Sequence, residues 1–232
     1  MREYTPGVIR NIGLVGHGGC GKTSLAEAML FCAGEINRMG RVEEGNTRSD
    51  YTQDERERQI SLNATVLHAH WNGVKVNILD TPGYPDFVGE VKAALRASDN
   101  AVVVLSAVEG IGVGTERAWE FVEEYGLPGF FFVTQMGREY ADFDKVLQGV
   151  RERFGSVVPL QFPVDGGTGF HRIVDLLKMK LLTYTPGAQG RPKEEPIPAE
   201  LEGRAAEMRE QLVEAVAEVS EELMERYFEE GE

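Results

Sequence analysis

The run NIGLVGHGGCGKTSLAEAML, from Asn11 to Leu30, decides the fold. Its first five residues read as an apolar strand and its last eight as a helix. The turn between them, GHGGCGKT from Gly16 to Thr23, fits G-x-x-x-x-G-K-[ST]. Each residue type there has a physical job. Glycines let the backbone curl so that successive N–H groups face one anion-sized hollow. The helix N-terminus adds partial positive charge and free amides. Lys22 can reach β- and γ-phosphates, and the Thr23 hydroxyl can ligate Mg²⁺. Strand, loop and helix in this order predict a nucleotide-phosphate site built from Gly16, His17, Gly18, Gly19, Cys20, Gly21, Lys22 and Thr23. Two readings of Cys20 stand: a thiol with lowered pKa, or a small residue filling a tight turn.

A second signal lies further along the chain. VKVNILDTPG runs a strand into Asp80, Thr81, Pro82 and Gly83, followed by Tyr84. A carboxylate at the end of a buried strand beside the phosphate loop holds Mg²⁺ through water, and a glycine amide there senses the γ-phosphate. Asp-x-x-Gly alone describes many turns. Paired with the phosphate loop it indicates a P-loop NTPase with switch elements.

The flanking pattern agrees with an α/β fold: a mostly parallel sheet with helices on both faces. Strands are expected at Ile9–Val15, Thr65–Trp71, Val74–Leu79, Ala101–Leu105 and Phe130–Val133. Helices are expected at Lys22–Cys32, Phe87–Ala97, Thr115–Tyr125, Asp142–Phe154 and Arg172–Leu182. The polar stretch Gly34–Asn63 lacks a clear period and reads as a long functional loop. We place a P-loop nucleotide-binding domain at 1–156 and a partial α/β insert subdomain at 157–232. The latter contains a Pro/Gly-rich linker at 185–198 and an acidic helix at 199–230. Leu212, Val216, Val219, Leu223 and Tyr227 mark one face of that helix.

Composition sets limits on partners. With 24 basic and 38 acidic side chains the net charge is −14, so bulk charge repels nucleic acid, and sequence-specific DNA binding is not expected. The apolar runs AVVVL and FFFV are too short for a membrane span. Two cysteines, Cys20 and Cys32, argue against a disulfide scaffold and fit a cytoplasmic setting. His68 and His70 share one strand face, but no third metal ligand is evident.

Taken together these motifs resemble the translational GTPases, most closely the nucleotide domain of the elongation factor G family. Besides GHGGCGKT and DTPG, the segment GRVEEGNTRSDYTQDERERQIS is similar to the family's first switch, D-x-x-x-x-E-R-x-R-G-I-T. DFVGEVKAALRASDNAVVVLSAVEGIGVGTERAW resembles the helix and strand after the second switch. REYADFDKVLQGVRERFGSVVPLQFPV and FHRIVDLLKMK resemble the start of the insert subdomain. The resemblance implies GTP and Mg²⁺ as cofactors, Thr23, Ser61 and Asp80 around the metal, and Gly83 on the γ-phosphate. It further implies the ribosome's GTPase centre as partner, in translocation or recycling. A P-loop ATPase or kinase would need a strand-end base or lid arginines, and no convincing set is visible.

Departures from the family pattern sharpen the expectations. The guanine-reading box N-K-x-D is replaced by Thr134, Gln135, Met136 and Gly137. The family's aspartate accepts two hydrogen bonds from guanine, and Gly137 accepts neither. At roughly 1.5–3 kcal/mol for each bond to a charged acceptor, guanine preference falls at least about a hundredfold. That motivates a second reading, a nucleotide-binding regulator with weakened guanine specificity and little hydrolysis. Tyr84 stands where many relatives orient water with histidine; a phenol presents no imidazolium, so hydrolysis involving Lys22, Gly83 and Tyr84 is expected to be slow or differently triggered. Gln59 replaces a glycine, and Gly19 an acidic loop residue. A further strand and closing helix, which come after the insert in the family, are absent before Glu232, so one sheet edge or face is expected to be uncovered.

Overall fold

Leu14 and Val15 are neighbours in sequence, and both are fully buried. They point to opposite faces of one strand, which requires a sheet covered on both sides. The computed structural model, which describes residues 4–185 and 191–230, builds that sheet. Strand β1 (Ile9–Gly16) leads through the phosphate loop into α1 (Lys22–Cys32). Then come α2 (Gln53–Arg58), β2 (Thr65–Trp71), β3 (Val74–Asp80), α3 (Val88–Arg96), β4 (Asn100–Ser106), α4 (Val113–Glu124) and β5 (Gly129–Thr134). The strand order is β2-β3-β1-β4-β5, with β1 parallel to β3 and β4, and β4 parallel to β5. Only β2 runs antiparallel, joined to β3 by Asn72-Gly73, both at positive φ (47° and 83°) as a two-residue hairpin turn requires.

Two cores follow from the alternation. Val15, Leu95, Val103, Ala118 and Val122 fill the face under α3 and α4. Leu14, Ala26, Leu30, Ala69 and Ile78 fill the face under α1. On the edge strand β5, Phe131 stacks on Trp119 beneath α4 at 4.7 Å, while its neighbours Phe130 and Phe132 are exposed. Chain reversal around β1 puts the C-terminal ends of β1 and β3 side by side, where α/β sheets bind ligands.

The chain divides into compact units Met1–Met136 and Gly137–Glu232. The division falls earlier than the expected 156, because Phe143, on α5 (Phe143–Phe154), packs against the core of the second unit. That unit holds a four-stranded antiparallel sheet, β6 (Gln161–Pro163), β7 (Arg172–Asp175), β8 (Lys180–Thr183) and β9 (Lys193–Glu195). Helices α6 (Ala199–Ala217) and α7 (Glu221–Glu230) complete it.

Four expectations fail here. Arg172–Leu182 is the β7–β8 hairpin, not a helix: Asp175 Oδ1 accepts from the Leu177 and Lys178 amides (2.9 and 3.0 Å), and Met179 takes φ +50°. A side chain satisfying the turn's amides competes with helix propagation. The acidic helix is two helices, because the Ser220 hydroxyl caps a new start at the Leu223 amide. Its docking stripe is Leu201, Ala205, Met208 and Leu212, whereas Val216 and Val219 are exposed. The linker contains β9; its residues 186–190 lie outside the described residues. Among the described residues no helix is long and apolar enough to cross a membrane.

Candidate functional site

The loop of residues 16–23 closes at the end of β1 as its glycines allow. Gly16 sits at φ +141°, and a Cβ there would lie 2.5 Å from the Val104 carbonyl oxygen. Gly21, at φ +93°, is the N-cap of α1. Lys22 is buried and donates to the carbonyls of Gly16 (3.1 Å) and His17 (2.8 Å), which holds its ammonium across the loop. His17 Nδ1 accepts from the Gly114 amide at 3.3 Å, a structural strut to the start of α4. Cys20 is buried, and that burial pushes its thiol above the ordinary range despite Lys22 nearby. The low-pKa reading is therefore replaced by the packing one.

Four side chains converge beside Lys22. Thr23 Oγ1 donates to Asp80 Oδ2 at 2.7 Å and lies 3.3 Å from Ser61 Oγ, which donates to Asp50 Oδ1 at 2.7 Å. The other Asp80 oxygen, Oδ1, is buried without a hydrogen-bond partner. Burial raises the Asp80 carboxyl to about 6, opposed by the Ser49 and Thr23 hydroxyls and by Lys22. Burial likewise raises Asp50. A buried carboxylate with an orphaned oxygen beside two hydroxyls is a donor set suited to a hard divalent cation.

Ile36 anchors the start of the polar stretch of residues 34–63 in the core under α1, and two buried glutamates order the rest of it. Glu27 accepts from the Gly40 and Arg48 amides at 2.7 and 2.5 Å. Glu55 is fully buried and accepts from Thr52, Leu62 and Asn63. Its burial works against the charge, but these donors outweigh it and hold the carboxyl below its usual value. Thr52 and Glu55 form the capping box of α2. Gln59 ends that helix at φ +55°, the conformation its glycine counterpart adopts without strain, and its amide donates to the Glu43 carbonyl at 3.2 Å.

At the end of β3 the DTPG residues divide their work. Thr81 is fully buried and donates to the Leu14 carbonyl at 2.7 Å, so its hydroxyl ties β3 to β1. Pro82 lines a small apolar cavity with Val88, Val91, Ala118 and Phe121. Gly83 presses on the loop: a Cβ there would sit 2.5 Å from Lys22 Nζ and 2.6 Å from the Gly18 nitrogen. Tyr84 is 42% exposed.

At the end of β5, Thr134 Oγ1 lies 2.6 Å from the Cys20 carbonyl and 3.0 Å from that of Leu105. Gln135, at φ +59°, donates to the Gly19 carbonyl at 2.8 Å and accepts from Ser106 Oγ at 2.9 Å. Met136 is buried, and a side chain on Gly137 would meet nothing within 4 Å. Residues 134 and 135 thus brace the phosphate loop.

Residues 7–232 match the family model described as Elongation factor Tu GTP binding domain. The chain belongs to that family. Its fold is also that of a protein from Thermus thermophilus known from a crystal structure, with a TM-score of 0.89 and 38% identity over 96% of this chain. The chain spans 33% of that Thermus protein.

Within this GTP-binding domain, sequence reasoning assigned no role to Asp50, Glu27 or Glu55. Asp50 and Glu55 stand in the D-x-x-x-x-E spacing of the first-switch segment, the one signal that pointed to them. His70 pairs with Glu35 (2.5 Å) and meets His68 edge-on; among the described residues no metal-binding cluster of His, Cys, Asp or Glu forms there.

Proposed function

We propose that the chain is the nucleotide-binding domain of an elongation factor G-like translational GTPase, acting at the ribosome's GTPase centre in translocation or recycling. The observation that carries this reading is the meeting of Lys22, Thr23, Ser61 and Asp80 at the ends of β1 and β3 with Gly83 against the loop. Loop amides from Gly16 to Thr23 and the Lys22 ammonium would bind the phosphates. Thr23, Ser61 and Asp80 would hold Mg²⁺, which when bound offsets charge on the phosphate oxygens. Gly83 would report the γ-phosphate through its amide and carry the segment after it between two positions. Asp50 would orient the Ser61 hydroxyl through their 2.7 Å hydrogen bond.

A second reading has its own support: the Gln135 amide is held by Ser106 and Gly19, and Gly137 carries no side-chain acceptor. On that reading the domain binds nucleotide phosphates with weakened guanine preference and hydrolyses little. Multiple-turnover GTP hydrolysis with and without ribosomes, using Lys22→Ala as control, separates the two. Stimulation by ribosomes supports the first reading; a flat rate at the Lys22→Ala level supports the second.

A further inference from the structure

Among the loop glycines, Gly16, Gly19 and Gly21 occupy positive φ and need glycine for their backbone. Gly18 does not, so conformation leaves its missing side chain unexplained. Packing explains it. The three atoms nearest to where a Gly18 Cβ would stand all belong to Tyr84: Cζ at 3.0 Å, Cε2 at 3.1 Å and Cε1 at 3.3 Å. The phenol end of the ring therefore rests on the loop at Gly18, in the space a side chain would fill. Gly18 is also the residue whose nitrogen Gly83 approaches, next to Lys22 Nζ.

There is no room for the ring to retreat inward. The cavity behind Tyr84, between Pro82, Val88, Val113 and Phe121, measures only about 30 Å³, roughly room for one water. A ring lifted from Gly18 must go to solvent, where 42% of the residue's surface already lies. We infer that Gly18 and Tyr84 are a size-matched pair that makes Tyr84 a lid over the terminal-phosphate end of the loop, slowing nucleotide release and keeping water from the γ-phosphate. In this role Tyr84 is a positioning residue that acts by coverage, and the ring matters more than the hydroxyl. The inference rests on the nucleotide-binding reading above.

Stopped-flow release of N-methylanthraniloyl-GDP from the 232-residue chain tests it, with circular dichroism melts to show each variant folded. Tyr84→Ala and Gly18→Ala are each expected to speed release about tenfold, and Tyr84→Phe to stay within about twofold of the parent. Gly18→Ala is informative because its backbone accepts alanine, so the added methyl, 3.0–3.3 Å from three ring atoms, acts by pushing the ring off its close seat. The double variant is expected to be no faster than Tyr84→Ala, since both changes remove the same cover. Binding by the parent chain with release unchanged in Tyr84→Ala, or fully additive effects, would overturn the lid alone. A folded parent that binds no nucleotide would overturn the nucleotide-binding reading and the lid with it.

Discussion

The Gln135 side chain bridges two parts of the nucleotide site, donating to the Gly19 carbonyl at 2.8 Å and accepting from Ser106 Oγ at 2.9 Å. With Thr134 bound to the Cys20 carbonyl, it turns the segment that reads the base in related sequences into a brace for the phosphate loop. Removing the hydroxyl leaves a carbonyl in the loop without its donor, at a cost of about 1–3 kcal/mol. Thr134→Val is therefore expected to weaken GTP binding about tenfold or more and to lower the melting temperature, as calorimetry and thermal melts would record.

Gly137 has open space where a side chain would go, and its φ is not left-handed. Gly137→Asp is therefore accommodated without strain. If the base lies where the family resemblance implies, the new carboxylate supplies two charged hydrogen bonds to guanine, roughly 1.5–3 kcal/mol each. The ratio of ATP to GTP dissociation constants is expected to rise at least tenfold, roughly 1.4 kcal/mol of discrimination. An unchanged ratio would show that the base is bound elsewhere.

Glu55 holds the first-switch segment by accepting from Thr52, Leu62 and Asn63 in a fully buried position. Truncation strands these donors. Glu55→Ala is expected to destabilise the chain by about 3 kcal/mol, seen as a lower denaturation midpoint. Because its folded pKa is lowered, this stabilisation is present above the ordinary carboxylate value and fades as pH falls through the folded one.

Asp80 behaves in the opposite sense. Its carboxyl titrates at about 6 in the fold against a usual 3.8, so the folded state binds the proton more tightly than the unfolded chain. The penalty is absent below 3.8, grows as pH rises, and is complete above about 6. It amounts to about 3 kcal/mol. In EDTA, Asp80→Asn is expected to be more stable than the parent at pH 7.5 and no more stable at pH 4, by urea denaturation. The same substitution is expected to abolish Mg²⁺-dependent nucleotide binding.

What the sequence made legible tracks the strength of local signals. Strands β1 to β5 and helix α1 fall within a residue or so of their expected bounds, because the buried parallel strands β3 and β4 end in apolar runs, β2 alternates into its hairpin turn, and a glycine loop marks the β1–α1 junction. The β7–β8 hairpin was hidden because Ile173, Val174, Leu181 and Leu182 also fit a helical spacing, and only the Asp175 turn decides against it. The buried Glu27 and Glu55 were hidden for another reason. A glutamate on a helix such as α1 or in a polar stretch predicts a solvated surface, and only the backbone amides gathered around Glu27 and Glu55 reveal a polar core. The bracing by Thr134 and Gln135 joins residues more than a hundred positions apart, beyond the reach of any local pattern.

The most direct test of the central claim, that this loop binds nucleotide phosphates with Mg²⁺ at Thr23, Ser61 and Asp80, is calorimetric titration of the purified chain with GTP, ATP and XTP. It is run with Mg²⁺ and with EDTA, and with Lys22→Ala as control. Mg²⁺-dependent binding of triphosphates that Lys22→Ala abolishes is expected, with GTP favoured over ATP by much less than the roughly hundredfold a base-reading aspartate would contribute. A folded chain that binds none of the three, or that binds equally well after Lys22→Ala, would contradict the claim.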